Sequence, residues 1–229
     1  LKKEHEGNWT CRLDLGDAYD DVVGNVEILM ARAPQQPQLH VQEQNQLREG
    51  FDLNAECSFR DGRPSAKVRW FLSDEEIMNP DISVTEQNGV EFVTSRIHRV
   101  LRADDNLKSL ICRVEHPAFD NEFTNTSQQL QVNFRPQALD RNELHIGGLT
   151  IGSPADIGVT IRSNPRPMLE WEVDGIKMKE GTQNQRFVVK SAEQLEDGRY
   201  LAQLTVIQLT LEDTLKTYNL RASNEAGSQ

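Results

Sequence analysis

Phe51-Asp52-Leu53-Asn54-Ala55-Glu56-Cys57, followed by Trp70 and later by Cys112, is the stretch that decides the fold. Phe51, Leu53, Ala55 and Cys57 alternate with polar residues, the period of a strand with one buried face. Val68, Trp70 and Leu72 repeat that period after Asp61-Gly62-Arg63-Pro64, whose residue types make a turn. Val93 and Ile97 lie on one face of a further strand. Short alternating segments broken by Gly, Pro, Asn and Asp clusters continue to the end, and no long window repeats apolar residues at helical spacing. The class is therefore all-β, with helices confined to single turns.

The chain has 229 residues, enough for two sandwich domains of roughly a hundred residues each and a remainder. Its net charge of −11 argues against a nucleic-acid surface, which needs clustered Lys and Arg to meet phosphates. No apolar run is long enough to span a bilayer, and Leu1-Lys2-Lys3-Glu4 is no signal peptide, so the expectation is a soluble segment of a longer protein.

Two cysteines with a tryptophan soon after the first resemble an immunoglobulin sandwich. That resemblance implies a Cys57–Cys112 disulfide joining facing sheets, with Trp70 packed on it. Leu110-Ile111-Cys112-Arg113-Val114-Glu115-His116-Pro117 is similar to the closing motif of constant-type and nectin-like domains, with Leu110 where a tyrosine is usual. The corner hydrogen bond of that tyrosine is expected to be missing. Leu130, Val132 and Phe134 read as the closing strand, which bounds this domain at residues 35–135.

Residues 1–34 read as the C-terminal part of a preceding domain. Glu6 to Cys11 resembles the approach to a sixth strand, Val26, Ile28 and Met30 a last strand, and Ala33-Pro34-Gln35-Gln36-Pro37 a short stiff linker. Three cysteines is an odd count. Cys11 is expected to pair with a cysteine outside this chain, a free thiol being the alternative. Residues 136–229 repeat the design without cysteines: Val159 and Leu220 stand where the disulfide would be, Trp171 takes the core position, and Tyr218 takes the corner. An apolar pair of this kind contributes about 1.5–3 kcal/mol per buried side chain, against about 4 kcal/mol for a bridge of this span, so the domain folds without one. Its final strand is expected after Gln229.

Taken together, one partial and two nearly complete sandwiches in tandem, with Cys57 to Pro64 in the second and Thr160-Ile161-Arg162-Ser163-Asn164-Pro165 and Tyr218 to Glu225 in a third that lacks both cysteines, resemble the fasciclin III family of immunoglobulin-superfamily adhesion proteins. The resemblance implies the extracellular part of a single-pass plasma-membrane glycoprotein of neurons and epithelia, at cell–cell junctions and on axons, serving axon guidance and synaptic target recognition. It also implies that the partner is protein, the same molecule on an opposing cell. A heterophilic receptor or ligand of the same build is the alternative. An intracellular filament module is a third reading, against which Cys57 and Cys112 argue.

Asn8-Trp9-Thr10 and Asn125-Thr126-Ser127 are glycosylation sequons, making Asn8 and Asn125 candidate sugar carriers. Cys11 to Val22 spans a loop between two strands and mixes Asp14, Asp17, Asp20 and Asp21 with Tyr19 and Arg12; Arg12, Asp14, Tyr19, Asp20 and Asp21 are the candidate partner-binding residues, with an ordinary solvated hairpin as the plainer alternative.

Catalytic and metal motifs are not found. Five histidines are scattered, no nucleophile elbow occurs, and the glycines from Gly147 to Gly152 lack the lysine and helix of a phosphate loop and read as a strand turn. His116 reads as a strand-end polar contact. Asp104-Asp105-Asn106 lacks the downstream glutamate of a calcium loop and reads as a solvated turn. No enzyme, cofactor, small-molecule substrate or nucleic-acid partner is expected.

Overall fold

The computed structural model describes residues 5–13, 22–139 and 144–229. It is all-β, and helical structure takes the form of short 3₁₀ turns at Gln44–Gln46, Ala103–Asp105 and Leu211–Leu215. The chain divides into two compact units, one of Leu1–Gln42, Asn54–His98 and Ser109–Gln128, the other of Glu43–Leu53, Arg99–Lys108 and Gln129–Gln229.

The first strands, β1 (Gly7–Leu13) and β2 (Val22–Ile28), form an antiparallel pair in which Cys11 faces Gly24. Arg32 and Arg63 then exchange backbone hydrogen bonds of 2.8 and 2.9 Å, and the Gln35 amide donates to Arg60 at 2.8 Å. Charged side chains reinforce the contact, Arg32 on Asp61 and Arg63 on Glu6.

The next eight strands are β3 (Gln38–Val41), β4 (Asp52–Arg60), β5 (Lys67–Leu72), β6 (Glu75–Ile77), β7 (Asp81–Gln87), β8 (Val90–Val100), β9 (Ser109–Glu115) and β10 (Phe123–Gln129). They build two four-stranded sheets, ordered β3-β4-β8-β7 and β10-β9-β5-β6. Period-two patterning decides what each buries: Leu53, Ala55, Cys57 and Phe59 of β4, Val68, Trp70 and Leu72 of β5, and Leu110, Cys112 and Val114 of β9 all point inward.

The closing strand differs from expectation. It is β10, Phe123–Gln129, whose alternate side chains are only half buried, whereas Leu130 and Val132 are buried but lie outside regular strands. Their backbone bonds go elsewhere: the Val132 amide donates to Asn106 Oδ1 at 2.9 Å and the Leu130 amide to the Lys108 carbonyl at 2.9 Å. A loop and a side chain offer no continuous ladder, so the apolar alternation buries residues without making a strand. Phe134 opens β11 (Phe134–Ala138), in the next sheet.

The remaining strands are β12 (Leu144–Gly147), β13 (Ala155–Asn164), β14 (Met168–Val173), β15 (Ile176–Lys179), β16 (Phe187–Val189), β17 (Glu193–Gln194), β18 (Arg199–Val206), β19 (Tyr218–Asn224) and β20 (Gly227–Ser228). One sheet runs β11-β13-β18-β16, with β12 also on β13 and β17 on β18; the other runs β15-β14-β19-β20. The β14–β15 hairpin turns on Asp174 and Gly175, at φ 47° and 83°, a two-residue turn whose twist matches the strands. Gly148 ends β12 at φ 74°, where a Cβ would lie 2.4 Å from the Pro154 carbonyl oxygen, so no other residue fits.

Candidate functional site

The structural centre of the second sandwich is the Cys57–Cys112 disulfide, which links β4 to β9. Trp70 is the direct cross-strand partner of Cys112, fully buried, and its Nε1 donates to Ser95 Oγ at 2.9 Å. In the third sandwich Trp171 faces Leu220 in the same way. Val159 and Leu220 are half-buried and pack against both apolar clusters of that sandwich, one around Leu204 and Val206, the other around Ile161 and Ala202. An open cavity of about 430 Å³, lined among others by Ile146, Leu149, Val159, Trp171, Tyr218 and Leu220, accounts for the exposure they retain. Trp171 Nε1 is buried and has no hydrogen-bond partner among the described residues.

The 3₁₀ turns before β9 and β19 each carry a buried aspartate, and sequence reasoning missed both. Asp105 is not in a solvated turn: it is buried, accepts from the Arg102 amide at 2.9 Å and from Lys108 Nζ at 3.0 Å, and lies 3.7 Å from Arg99. Only its neighbour Asp104 is exposed, pairing with Arg162 at 2.5 Å. Asp213 accepts from the Thr210 amide and hydroxyl, from Lys216 at 2.7 Å and from Arg186 at 2.6 Å. Burial pushes the Asp213 carboxyl up, but the bonds from Lys216, Thr210 and Arg186 together hold it well below the usual carboxylate range. Tyr218 Oη donates to the Asp213 carbonyl at 3.0 Å, making the corner, and burial raises its phenol. Such a cluster fixes a turn, and Asp213, Lys216 and Tyr218 also line one side of the open cavity beside Trp171. The signal in the sequence was an Asp three residues before a Lys, in both sandwiches.

His116 is buried between the Pro64 carbonyl, which accepts from Nε2 at 2.8 Å, and the Ala118 amide, which donates to Nδ1 at 3.1 Å. The two bonds consume both ring nitrogens, leaving neither for a metal. Among the described residues no group of three or more His, Cys, Asp or Glu side chains is placed to hold a metal ion.

Two further surfaces carry exposed aromatic side chains among the described residues. On the β1–β2 hairpin every side chain from Asn8 to Leu13 and from Val22 to Glu27 is exposed, including Trp9, Leu13, Val22, Val23 and Val26. Cys11 is exposed and has no disulfide partner among the described residues, and Arg12 lies beside it on the same strand. Asp14, Asp17, Tyr19, Asp20 and Asp21 lie outside the described residues, so of the candidate partner-binding set only Arg12 is placed. The second surface is the outer face of β10-β9-β5-β6. Arg113 lies over two rings, 4.7 Å from the Phe71 centroid and 4.6 Å from that of Phe123, and its Nε donates to Asn125 Oδ1 at 3.2 Å. Arg69 adds a third cation–ring contact at 5.3 Å from Phe71. The hydrogen bonds that Arg69 donates to Glu76, and then to Glu115, hold its guanidinium above its ordinary value. Both sequon asparagines, Asn8 and Asn125, are on exposed strand positions.

Residues 34–123 match the model of the CD80-like C2-set immunoglobulin domain. The chain is 29% identical to fasciclin-3 of Drosophila melanogaster over an alignment of 237 residues, 99% of the chain and 46% of that protein. It is 25% identical to cell adhesion molecule 1 of Homo sapiens over 168 residues, 72% of the chain and 37% of that protein, and 28% identical to cell adhesion molecule 4 of Homo sapiens over 174 residues, 73% and 42%. The chain thus spans less than half the length of the curated relatives it matches. Among solved structures, the ectodomain of mouse nectin-like molecule 4 superposes with a TM-score of 0.62 at 23% identity, covering all of this chain and 72% of that one. A chain of the Dpr2–DIP-Theta complex gives 0.55 at 17%, with the same coverage, and at these identities the likeness is one of fold. No helix among the described residues is long and apolar enough to cross a membrane. The family matched is not a family of enzymes. The chain is built of immunoglobulin-like sandwiches, and the relatives it resembles in sequence are immunoglobulin-family cell adhesion molecules.

Proposed function

We propose that the chain is part of the extracellular segment of a single-pass cell-surface glycoprotein that mediates homophilic adhesion, with residues 1–34 belonging to a first domain, 35–135 forming a second and 136–229 a third. Its role is binding and not catalysis. The observation that carries this reading is the similarity to fasciclin-3 along 99% of the chain, including the third sandwich without cysteines. The disulfide fits an oxidising, extracellular compartment. The hairpin surface at Arg12, together with Asp14, Tyr19, Asp20 and Asp21, is the proposed contact, because it combines a cation and an aromatic with exposed apolar strands. Opposed aspartates repel, so in a like-with-like complex they must be offset or face basic residues.

Beads coated with the full ectodomain test this. Aggregation of one bead type by itself is expected, with Tyr19→Ala and Arg12→Glu each reducing it at unchanged melting temperature. Beads that stay dispersed but aggregate with cells carrying a different surface protein would replace homophilic by heterophilic recognition.

A further inference from the structure

We propose that Asn125 carries an N-linked glycan whose first N-acetylglucosamine packs on the ring of Phe123, so that the outer face of β10 is a sugar platform and not a protein contact. The inference rests on the reading above only in requiring passage through a secretory pathway.

Four observations carry it. In a strand, side chains two apart share a face, and β10 begins Phe123-Thr124-Asn125-Thr126-Ser127, which puts an aromatic ring beside the sequon asparagine. The shared contact with Arg113 confirms that placement, since Arg113 lies over the Phe123 ring at 4.6 Å and donates to Asn125 Oδ1 at 3.2 Å. That bond uses the amide oxygen, and the amide nitrogen, the atom that bears the sugar, has no hydrogen-bond partner among the described residues. Finally, Phe123 keeps 40% of its surface exposed although Arg113 covers part of its ring. An exposed phenylalanine at a sheet edge loses free energy to water, and the C–H face of a pyranose is a matching apolar surface that is attracted to the electron-rich ring. The bond from Arg113 also restricts Asn125 to one orientation, so less freedom remains to be lost when the sugar settles on the ring.

The other sequon lacks this arrangement. Asn8 has Glu6 two residues before it, and Trp9, its immediate neighbour, points to the opposite face with its Nε1 donating to the His5 carbonyl at 2.9 Å. Occupied or not, Asn8 has no ring at the corresponding position.

The test uses the whole chain secreted from cultured insect cells in an Asn8→Gln background. Glycopeptide mapping reads occupancy at Asn125, and an endoglycosidase then trims the glycan to one sugar. The unglycosylated reference is Ser127→Ala, which abolishes the sequon and leaves Asn125 itself in place. The single-sugar form is expected to melt about 2–5 °C above the reference, a shift of the size a small domain shows for one modest contact. In a Phe123→Ala background that difference should fall below about 1 °C, completing a double-mutant cycle in which any loss of stability from Phe123→Ala itself cancels. An unmodified Asn125 in the secreted protein, or an equal shift with and without Phe123, would overturn the proposal. Bead aggregation is read separately, so failure of the adhesion reading leaves this result standing, and the reverse.

Discussion

Asp213 shows how much a single buried residue can hold. Its carboxylate joins a 3₁₀ turn, a lysine and an arginine while it is fully buried. Because its folded pKa lies below the ordinary 3.8, the charged form is favoured by folding. The associated stability is therefore present above about pH 4 and is lost as pH falls through the folded value. Urea unfolding of residues 136–229 between pH 3 and 7 should show wild-type stability dropping at the acid end, with a flatter profile in Asp213→Asn. Asp213→Ala should cost about 1–3 kcal/mol at pH 7, since it removes the acceptor of the Thr210 amide while Arg186 and Lys216 can turn to solvent. Wild-type and Asp213→Asn profiles of equal slope would refute the assignment. Trp70 offers a neutral counterpart: Ser95→Ala removes the acceptor of its buried N–H and should lower stability by about 1–3 kcal/mol, measured by denaturant midpoint at unchanged slope.

At the scale of the element, the strand pairs β5–β9 and β14–β19 are built on one plan. Trp70 opposes Cys112 in the first, and Trp171 opposes Leu220 in the second. Val159 lies on β13 in the facing sheet and touches the same clusters as Leu220. Val159→Cys combined with Leu220→Cys should therefore oxidise spontaneously in air, read as loss of free thiols, and should raise the melting temperature of that sandwich. Thiols that stay reduced would mean that the two positions do not meet across the sheets.

For the molecule as a whole, stability is divided by chemistry. The bridge between Cys57 and Cys112 spans 55 residues, which corresponds to about 4 kcal/mol of unfolded-state restriction. Reductant should accordingly lower the unfolding transition of residues 35–135 and leave that of residues 136–229 where it was, as followed by the fluorescence of Trp70 against Trp171 in single-tryptophan variants. Equal losses in both would remove the disulfide as the distinguishing feature.

The sequence by itself determined the class and the inward faces. Alternation in β4, β5 and β9 is a property of neighbouring residues, and a one-residue slip would expose Cys57, Trp70 and Cys112 together. Tyr218 was legible as the corner from its place two residues before Leu220. Only the tertiary structure decided what Leu130 and Val132 do, because their backbone partners come from Lys108 and Asn106, over twenty residues away. It also turned Asp105 from a solvated residue into a buried one, since charge in a sequence does not reveal whether Lys108 and Arg99 converge on it. The stack of Phe71, Arg113 and Phe123 was hidden for the same reason: three strands contribute one residue each, and only the register of the sheet brings them into contact.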